Sequence, residues 1–136
     1  MNKKSCVYVI PFQINNWQLP VRVQAFFASD FSKRKSLDFA LPKPEILFSR
    51  KFEILKSILD DNYANIFVFS EILLAHKNSL KILKEFDQSP STQFRPTFHL
   101  TYNDESISIK ELIVRIENIV RNKNFCMSIS KLLERI

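Results

Sequence analysis

The sequence predicts a single α/β domain, in which an open parallel sheet of four strands carries helices on both faces, giving three layers. Apolar runs of strand length alternate four times with segments whose apolar residues recur at helical spacing. The chain has 136 residues, enough for one hydrophobic core and too few for two domains. Two of the runs are apolar throughout and belong in the middle of the sheet, which gives the strand order 2-1-3-4.

The first strand is predicted over residues 6–10, an unbroken β-type apolar run that Pro11 ends. A polar stretch follows, and Pro20 then stands where the first turn of a helix tolerates proline. Large apolar residues recur at helical spacing over residues 23–31, which predicts a helix to about Lys35.

The second strand is predicted over residues 37–41, whose apolar and polar side chains alternate as in a peripheral strand before two prolines stop it. Ser49 is placed to cap the next helix, whose apolar stripe covers residues 52–59. The third strand, residues 66–69, is apolar throughout and is expected in the centre of the sheet.

The third helix has its apolar stripe over residues 80–86 and ends in a loop rich in helix-breaking residues. The fourth strand is predicted over residues 98–102, where alternating apolar and polar side chains indicate a half-covered edge strand. Ser108 and Glu111 then form a capping box at the start of the most regular helix of the sequence.

The composition excludes several kinds of site. The chain contains no glycine, although average usage would place roughly nine in a protein of this length. The glycine-rich dinucleotide fingerprint and the Walker phosphate loop are therefore excluded. The net charge of +6 is spread over every predicted helix instead of forming one basic block, which argues against nucleic acid as a partner.

No apolar run reaches the roughly 18 to 20 residues that a membrane span needs, and the N-terminus has no small-residue cleavage site. We therefore expect a cytoplasmic protein. Cys6 and Cys126 lack the paired spacing of a zinc or redox site and are expected to be free thiols. His76 is placed on a helix and His99 on an edge strand, each without a metal-ligand partner, so neither a metal nor a cofactor is expected.

Candidate site residues follow from the rule that open α/β sheets bind ligands outside the carboxyl ends of their strands, where the strand order reverses. Here that point lies between the first and third strands. Glu45 and Glu71 are predicted as an acid and base pair across the crevice, and Ser70 joins them as a candidate catalytic or ligand-contact residue. Ordinary loop polarity is the alternative for each.

The same rule selects candidate ligand-binding residues, which are Gln13, Asn15, Trp17, Arg22 and Gln24. Arg22 and Gln24 begin a helix, whose free N–H groups and dipole favour an anion. Trp17 is placed to stack on a sugar or a base, or to cap the sheet. The turn after the fourth strand adds the polar candidates Tyr102, Asn103 and Asp104.

Two stretches, YVIPF at residues 8–12 and LPVRVQ at residues 19–24, resemble the opening of the bacterial sporadic carbohydrate cluster proteins. Further similar segments follow in that family's order and spacing at residues 37–45, 67–70, 98–100 and 116–119. The resemblance covers about residues 7–120. It implies a place in a gene cluster for surface-polysaccharide or nucleotide-sugar synthesis, without defining a reaction. The chain departs from the family pattern by lacking a glycine in the first loop and by carrying Ala25 at a usually polar position.

The layout is also similar to the catalytic domain of serine recombinases, but Pro11 and Phe12 stand where that family's nucleophilic serine would end the first strand. Two functions remain open. The domain, with its core over residues 5–122, binds or modifies a sugar or nucleotide sugar at the carboxyl edge of the sheet. Alternatively, it is a non-catalytic module that forms homo-oligomers through a short amphipathic helix at about residues 127–136.

Overall fold

The computed structural model describes residues 5–14, 17–37, 42–45, 51–89 and 95–121. In this part of the chain, seven strands, four α-helices and one 3-10 helix follow in the order β1 Ser5–Val9, β2 Phe12–Ile14, β3 Trp17–Leu19, α1 Val21–Arg34, β4 Pro42–Pro44, α2 Glu53–Asp60, β5 Asn65–Val68, the 3-10 helix Glu71–Leu74, α3 Lys77–Gln88, β6 Thr97–Leu100, β7 Glu105–Ser108 and α4 Ile109–Arg121.

Five strands form the main sheet in the order β4-β1-β5-β6-β7, and β2 and β3 form a separate antiparallel hairpin. All neighbours in the main sheet are parallel except β6 and β7. The α/β class and a mostly parallel sheet are therefore confirmed. The prediction of four strands, all parallel, is wrong, because the sheet has a fifth strand, β7, which runs antiparallel to β6.

The strand beside β1 lies later in the chain than the sequence predicted. Residues 42–44 pair in parallel with residues 7–9, although both prolines were expected to stop the strand. An edge strand tolerates proline, because the missing N–H would point away from the sheet. Leu37 lies outside any strand, and its N–H donates to Ser32 O at the end of α1 (2.8 Å). Residues 38–41 lie outside the described part of the chain.

Strand β7 follows a turn over residues 101–104 and runs back beside β6, so β6 is internal and not an edge strand as predicted. One half of the predicted capping box is observed directly after β7, since the Glu111 N–H donates to Ser108 Oγ at 3.2 Å, while the Glu111 carboxylate pairs with Arg115. His76 precedes α3 instead of lying within it, and its Nδ1 accepts from the Asn78 N–H at 3.0 Å.

Among the residues that the structure describes, four adopt positive φ values of 53–58°, and they are Ser36, Phe52, Asn62 and Asp104. Each lies at a turn or beside a helix end. Phe52 precedes α2 and provides no side-chain cap, and the helix begins at Glu53, four residues after the predicted cap Ser49, which lies outside the described residues. A chain without glycine thus places side chains in the left-handed region, where glycine is ordinarily favoured.

The two faces of the sheet are covered unequally. On one face, α2, α3 and α4 pack against the sheet residues Cys6, Tyr8, Ile66, Val68, Phe98 and Leu100. On the other face, among the described helices, α1 contributes Ala28 and Phe31, which pack against Val7, Val9 and Phe67. The larger core therefore lies on the three-helix face.

None of the helices in the ranges given above combines the length and apolar character that a membrane crossing requires. The predicted helix at residues 127–136 lies outside those ranges.

Replacing Phe31 by alanine is expected to lower the free energy of unfolding by about 3–5 kcal/mol, because it removes a fully buried ring between α1 and the sheet. Phe26→Ala on the same helix is the matched control. It is expected to change stability by less than about 0.5 kcal/mol, because Phe26 is 68% exposed. Urea unfolding of both variants measures the difference, and equal losses would contradict the assigned buried face of α1.

Candidate functional site

The carboxyl ends of the parallel strands lead to the predicted site residues. Glu45 follows β4, the β2–β3 hairpin follows β1, and Ser70 follows β5. The turn at residues 101–104 follows β6. Four of the predicted residues fall into two pairs. Gln24 and Glu45 accept hydrogen bonds from the backbone, whereas Ser70 and Glu71 bond to each other in a polar cluster.

Gln24 lies on the first turn of α1 and is 2% exposed. Its side-chain amide forms a reciprocal pair with the backbone of Ile10, in which Nε2 donates to Ile10 O (2.8 Å) and Oε1 accepts from the Ile10 N–H (3.0 Å). Nε2 also donates to Leu19 O at 3.4 Å. Gln24 thus joins the end of β1, the end of the hairpin and the start of α1.

Glu45 is 4% exposed and acts as a remote cap for α2. Its Oε1 accepts from the Leu55 N–H at 3.0 Å, and its Oε2 accepts from the Ile54 N–H at 3.1 Å. These are first-turn donors that have no partner within the helix, and the helix dipole favours a carboxylate there.

The Tyr8 hydroxyl donates to Glu45 Oε1 at 2.5 Å. Burial is the main reason that the pKa of Tyr8 is raised above its ordinary value, and the hydrogen bond to Glu45 and the negative charge of that carboxylate add to the effect. The carboxylate of Glu45 therefore faces Tyr8 and the start of α2.

Ser70 and Glu71 form a second polar group with Asn103 and Arg115. Ser70 caps the 3-10 helix by accepting from the Ile72 N–H at 3.3 Å, and its hydroxyl donates to Glu71 Oε2 at 3.4 Å. Asn103 Nδ2 donates to the same oxygen at 3.5 Å, and Arg115 lies 3.8 Å from Glu71 Oε1. We call Ser70, Glu71 and Asn103 the polar cluster. Glu45 and Glu71 belong to different hydrogen-bond groups.

Arg115 fixes one side of the polar cluster. Its guanidinium lies 2.6 Å from Glu105 and 3.2 Å from Glu111. The hydrogen bond to Glu105 is the main reason that the pKa of Arg115 is raised, with Glu111 and the charge of Glu71 adding to it. The carboxylate of Glu71 thus stands beside a permanent positive charge supplied by α4.

The remaining predicted residues lie on the hairpin and on α1. Gln13 is in β2 and pairs with Gln18, whereas Trp17 is in β3 and pairs with Ile14. Asn15 lies outside the described residues. Arg22 is exposed on the first turn of α1.

The sequence missed a cluster of aromatic rings beside the polar cluster. Phe27 meets Phe69 edge to face at 5.2 Å, and Tyr102 lies 5.1 Å from Phe69 and 6.2 Å from Phe27. Phe26 packs edge to face on Phe27 at 6.2 Å. Phe26 and Tyr102 are 68% and 62% exposed. Phe26 belongs to the apolar residues at helical spacing over 23–31 that predicted α1, but the structure leaves it exposed. We call these four residues the aromatic patch.

His99 forms another polar group, on the α1 face of the sheet. It is 5% exposed, its Nδ1 lies 2.7 Å from Ser106 Oγ, and its Nε2 lies 2.8 Å from Asn65 Oδ1. Its ring stacks on Phe67 at 4.9 Å. Burial lowers the pKa of His99 from 6.5 to about 4. The imidazole is therefore neutral at pH 7.

Comparison of the chain with protein-family models, with curated proteins and with solved structures finds no match in any of the three. The residues themselves therefore carry the functional argument.

Tyr8→Phe and Glu45→Gln are expected to destabilise the protein by about 1–3 kcal/mol each, because each weakens a buried charge-assisted hydrogen bond. The double variant should lose less than the sum, by about 1 kcal/mol or more, since the two side chains share one bond. Tyr102→Phe, at an exposed tyrosine, is the control. Strictly additive losses in chemical unfolding would contradict the coupling.

The lowered pKa of His99 predicts a loss of stability in acid. Because the folded state favours the neutral ring, its contribution is present above the ordinary pKa of 6.5 and is lost as pH falls toward 4. The loss should amount to about 2–3 kcal/mol relative to His99→Gln, which lacks the titrating ring. Urea unfolding of both proteins across that pH interval measures it. Parallel pH profiles would contradict the prediction.

Proposed function

We propose that the carboxyl edge of the sheet binds a sugar-type ligand, either free or linked to a nucleotide. The aromatic patch would supply the stacking surface, and the polar cluster would supply hydrogen bonds to hydroxyl groups. The observation that carries the proposal is the position of Tyr102, whose ring is 62% exposed and packs on Phe69, while its neighbour Asn103 reaches Glu71.

The chemistry of a pyranose matches this arrangement. One face of the sugar ring presents C–H groups that pack on an aromatic ring, and its rim presents hydroxyl groups. Glu71 offers acceptor oxygens, and Asn103 offers both a donor and an acceptor. Because Phe27 and Phe69 hold Tyr102 from one side, its ring is already positioned before a ligand arrives.

A charged extension of the ligand has a partner on the same helix. Arg22 is exposed and lies one helical turn before Phe26, so the two side chains share one side of α1. The first turn of α1 contains no acidic residue, and its dipole favours an anion. This supports a phosphate-bearing sugar over a neutral one. The predicted ligand contacts Gln13 and Trp17 lie on the hairpin that follows β1 at this edge.

The proposal concerns binding and assigns no reaction. Glu45 accepts hydrogen bonds from two backbone N–H groups and from Tyr8, and Glu71 stands beside Arg115. The two carboxylates belong to different hydrogen-bond groups, so no acid and base pair is assigned to them. The resemblance to the carbohydrate cluster proteins supports the same ligand class.

One observation favours the alternative function, a non-catalytic interaction module. Phe26 is the most exposed ring of the aromatic patch, at 68%, and an exposed apolar surface also suits contact with another protein. In that case Phe26→Ala would reduce the mass of the protein in solution and leave sugar binding unchanged.

Titration with a panel of nucleoside diphosphate sugars and free sugars, followed by calorimetry and by the fluorescence of the single tryptophan, tests the proposal. Tyr102→Ala is expected to weaken binding about 10-fold, because a stacked ring contributes roughly 1–1.5 kcal/mol. Tyr102→Phe should retain most of the affinity. Val114→Ala, at an exposed residue of α4, is the control outside the patch. Absence of binding across the panel, or unchanged affinity in Tyr102→Ala, would overturn the proposal.

A further inference from the structure

We infer that Ser106, His99 and Asn65 form a second site, in which Ser106 is a nucleophile toward small acyl esters and His99 is its general base. This site lies on the α1 face of the sheet, in the middle of β6 and β7, and does not involve the aromatic patch or the polar cluster. It is therefore independent of the proposed sugar site.

The two hydrogen bonds of His99 define which group donates and which accepts at each contact. Asn65 Oδ1 is an acceptor only, so the 2.8 Å contact places the ring proton of His99 on Nε2. Nδ1 then carries a free lone pair, and the Ser106 hydroxyl donates to it at 2.7 Å. A serine hydroxyl that donates to a neutral imidazole, with the second ring nitrogen held by a side-chain oxygen, is the arrangement that activates serine nucleophiles.

The register of the sheet produces this arrangement. Antiparallel pairing of β6 and β7 sets Ser106 directly opposite His99, and parallel pairing of β5 and β6 sets Phe67 beside His99. The imidazole stacks on Phe67 and also contacts Phe31, with centroids 5.4 Å apart, so its plane is fixed by packing. Asn65 lies two residues before Phe67 and therefore on the same face.

Ser106 differs from the buried serines Ser32 and Ser79 in what its hydroxyl contacts and in its access to solvent. The hydroxyls of Ser32 and Ser79 donate to backbone carbonyls, and both residues are buried. Ser106 donates to an imidazole and is exposed on a strand at the end of the sheet. Ser106 is thus open to solvent, whereas the base behind it, His99, is 5% exposed.

The charge state of His99 leaves Nδ1 without a proton at neutral pH. Burial lowers the pKa of His99 to about 4, so the ring is neutral at pH 7 and Nδ1 accepts the hydrogen bond from Ser106. The same burial disfavours the imidazolium that forms during attack, and a carboxylate in place of the Asn65 amide would offset that cost.

The reaction balances with water as the only co-reactant. Ser106 Oγ forms a bond to the ester carbonyl carbon, while its proton passes to His99 Nδ1. The tetrahedral intermediate expels the alcohol oxygen, which takes the proton from His99, and leaves an acyl-serine. Water then attacks the acyl carbon and gives a proton to His99, which returns it to Ser106 Oγ as the carboxylic acid departs.

Reaction of the full chain with a fluorophosphonate probe and with p-nitrophenyl acetate tests the inference. We expect one covalent label, located on Ser106 by peptide mass mapping, and loss of both labelling and ester hydrolysis above background in Ser106→Ala. The control is Ser57→Ala, at an exposed serine of α2, and it should behave as the unaltered chain.

Asn65 is a positioning residue, and the variant Asn65→Asp tests this role. The readout is the rate of Ser106 labelling, which would not change if Asn65 were only structural. A carboxylate on Nε2 stabilises the imidazolium that forms during attack, so labelling of Ser106 should accelerate by about 10-fold or more. Circular dichroism confirms that each variant is folded. Absence of label on Ser106 in the folded chain, or hydrolysis that persists in Ser106→Ala, would overturn the inference. Neither result bears on sugar binding, which Tyr102 variants report.

Discussion

The end of β1 holds the carboxyl edge of the sheet through side chains. All five residues of this strand are buried, so the backbone groups at its end need partners inside the protein. Gln24 supplies a donor and an acceptor to Ile10, and the backbone N–H of Glu45 donates to Val9 O at 2.9 Å. Glu45 in turn caps α2 and binds Tyr8 of the same strand. The starts of α1 and α2 are thus both fixed by polar side chains that converge on the end of one strand.

The sequence predicted the elements whose side-chain pattern is dictated by burial. The apolar run at residues 6–10 and the capping box of α4 correspond to β1 and to the start of α4, because a two-faced strand and a one-faced helix each impose a distinctive period. Strand β7 was missed because its sequence, ESIS, is short and contains a single apolar residue, Ile107. The prediction placed the second strand at residues 37–41, before β4, because the pairing of Pro42–Pro44 depends on the edge position, which the sequence does not show.

The carboxyl-edge rule located Glu71 and Asn103, which the structure brings together, but it also selected Gln24 and Glu45. Polarity in a loop does not reveal whether a side chain faces a ligand or the backbone, since both uses need the same atoms. The sequence did not indicate the aromatic patch, because its residues follow the pattern expected of buried core residues. Phe26 and Phe27 fit the apolar period of α1, yet α1 has the sheet on one side only, so residues on the far part of that stripe remain exposed.

The four left-handed residues bear on the unfolded chain as well as on the folded one. A backbone without glycine explores fewer conformations when unfolded, so less freedom is lost when the chain becomes ordered. This gain opposes the local cost of holding a bulky residue such as Phe52 at a φ of 53°. Strain at the turns and stiffness along the whole chain are thus two results of the same composition. Strain at the turns raises the energy of the native state, and stiffness of the chain lowers the entropy of the unfolded state.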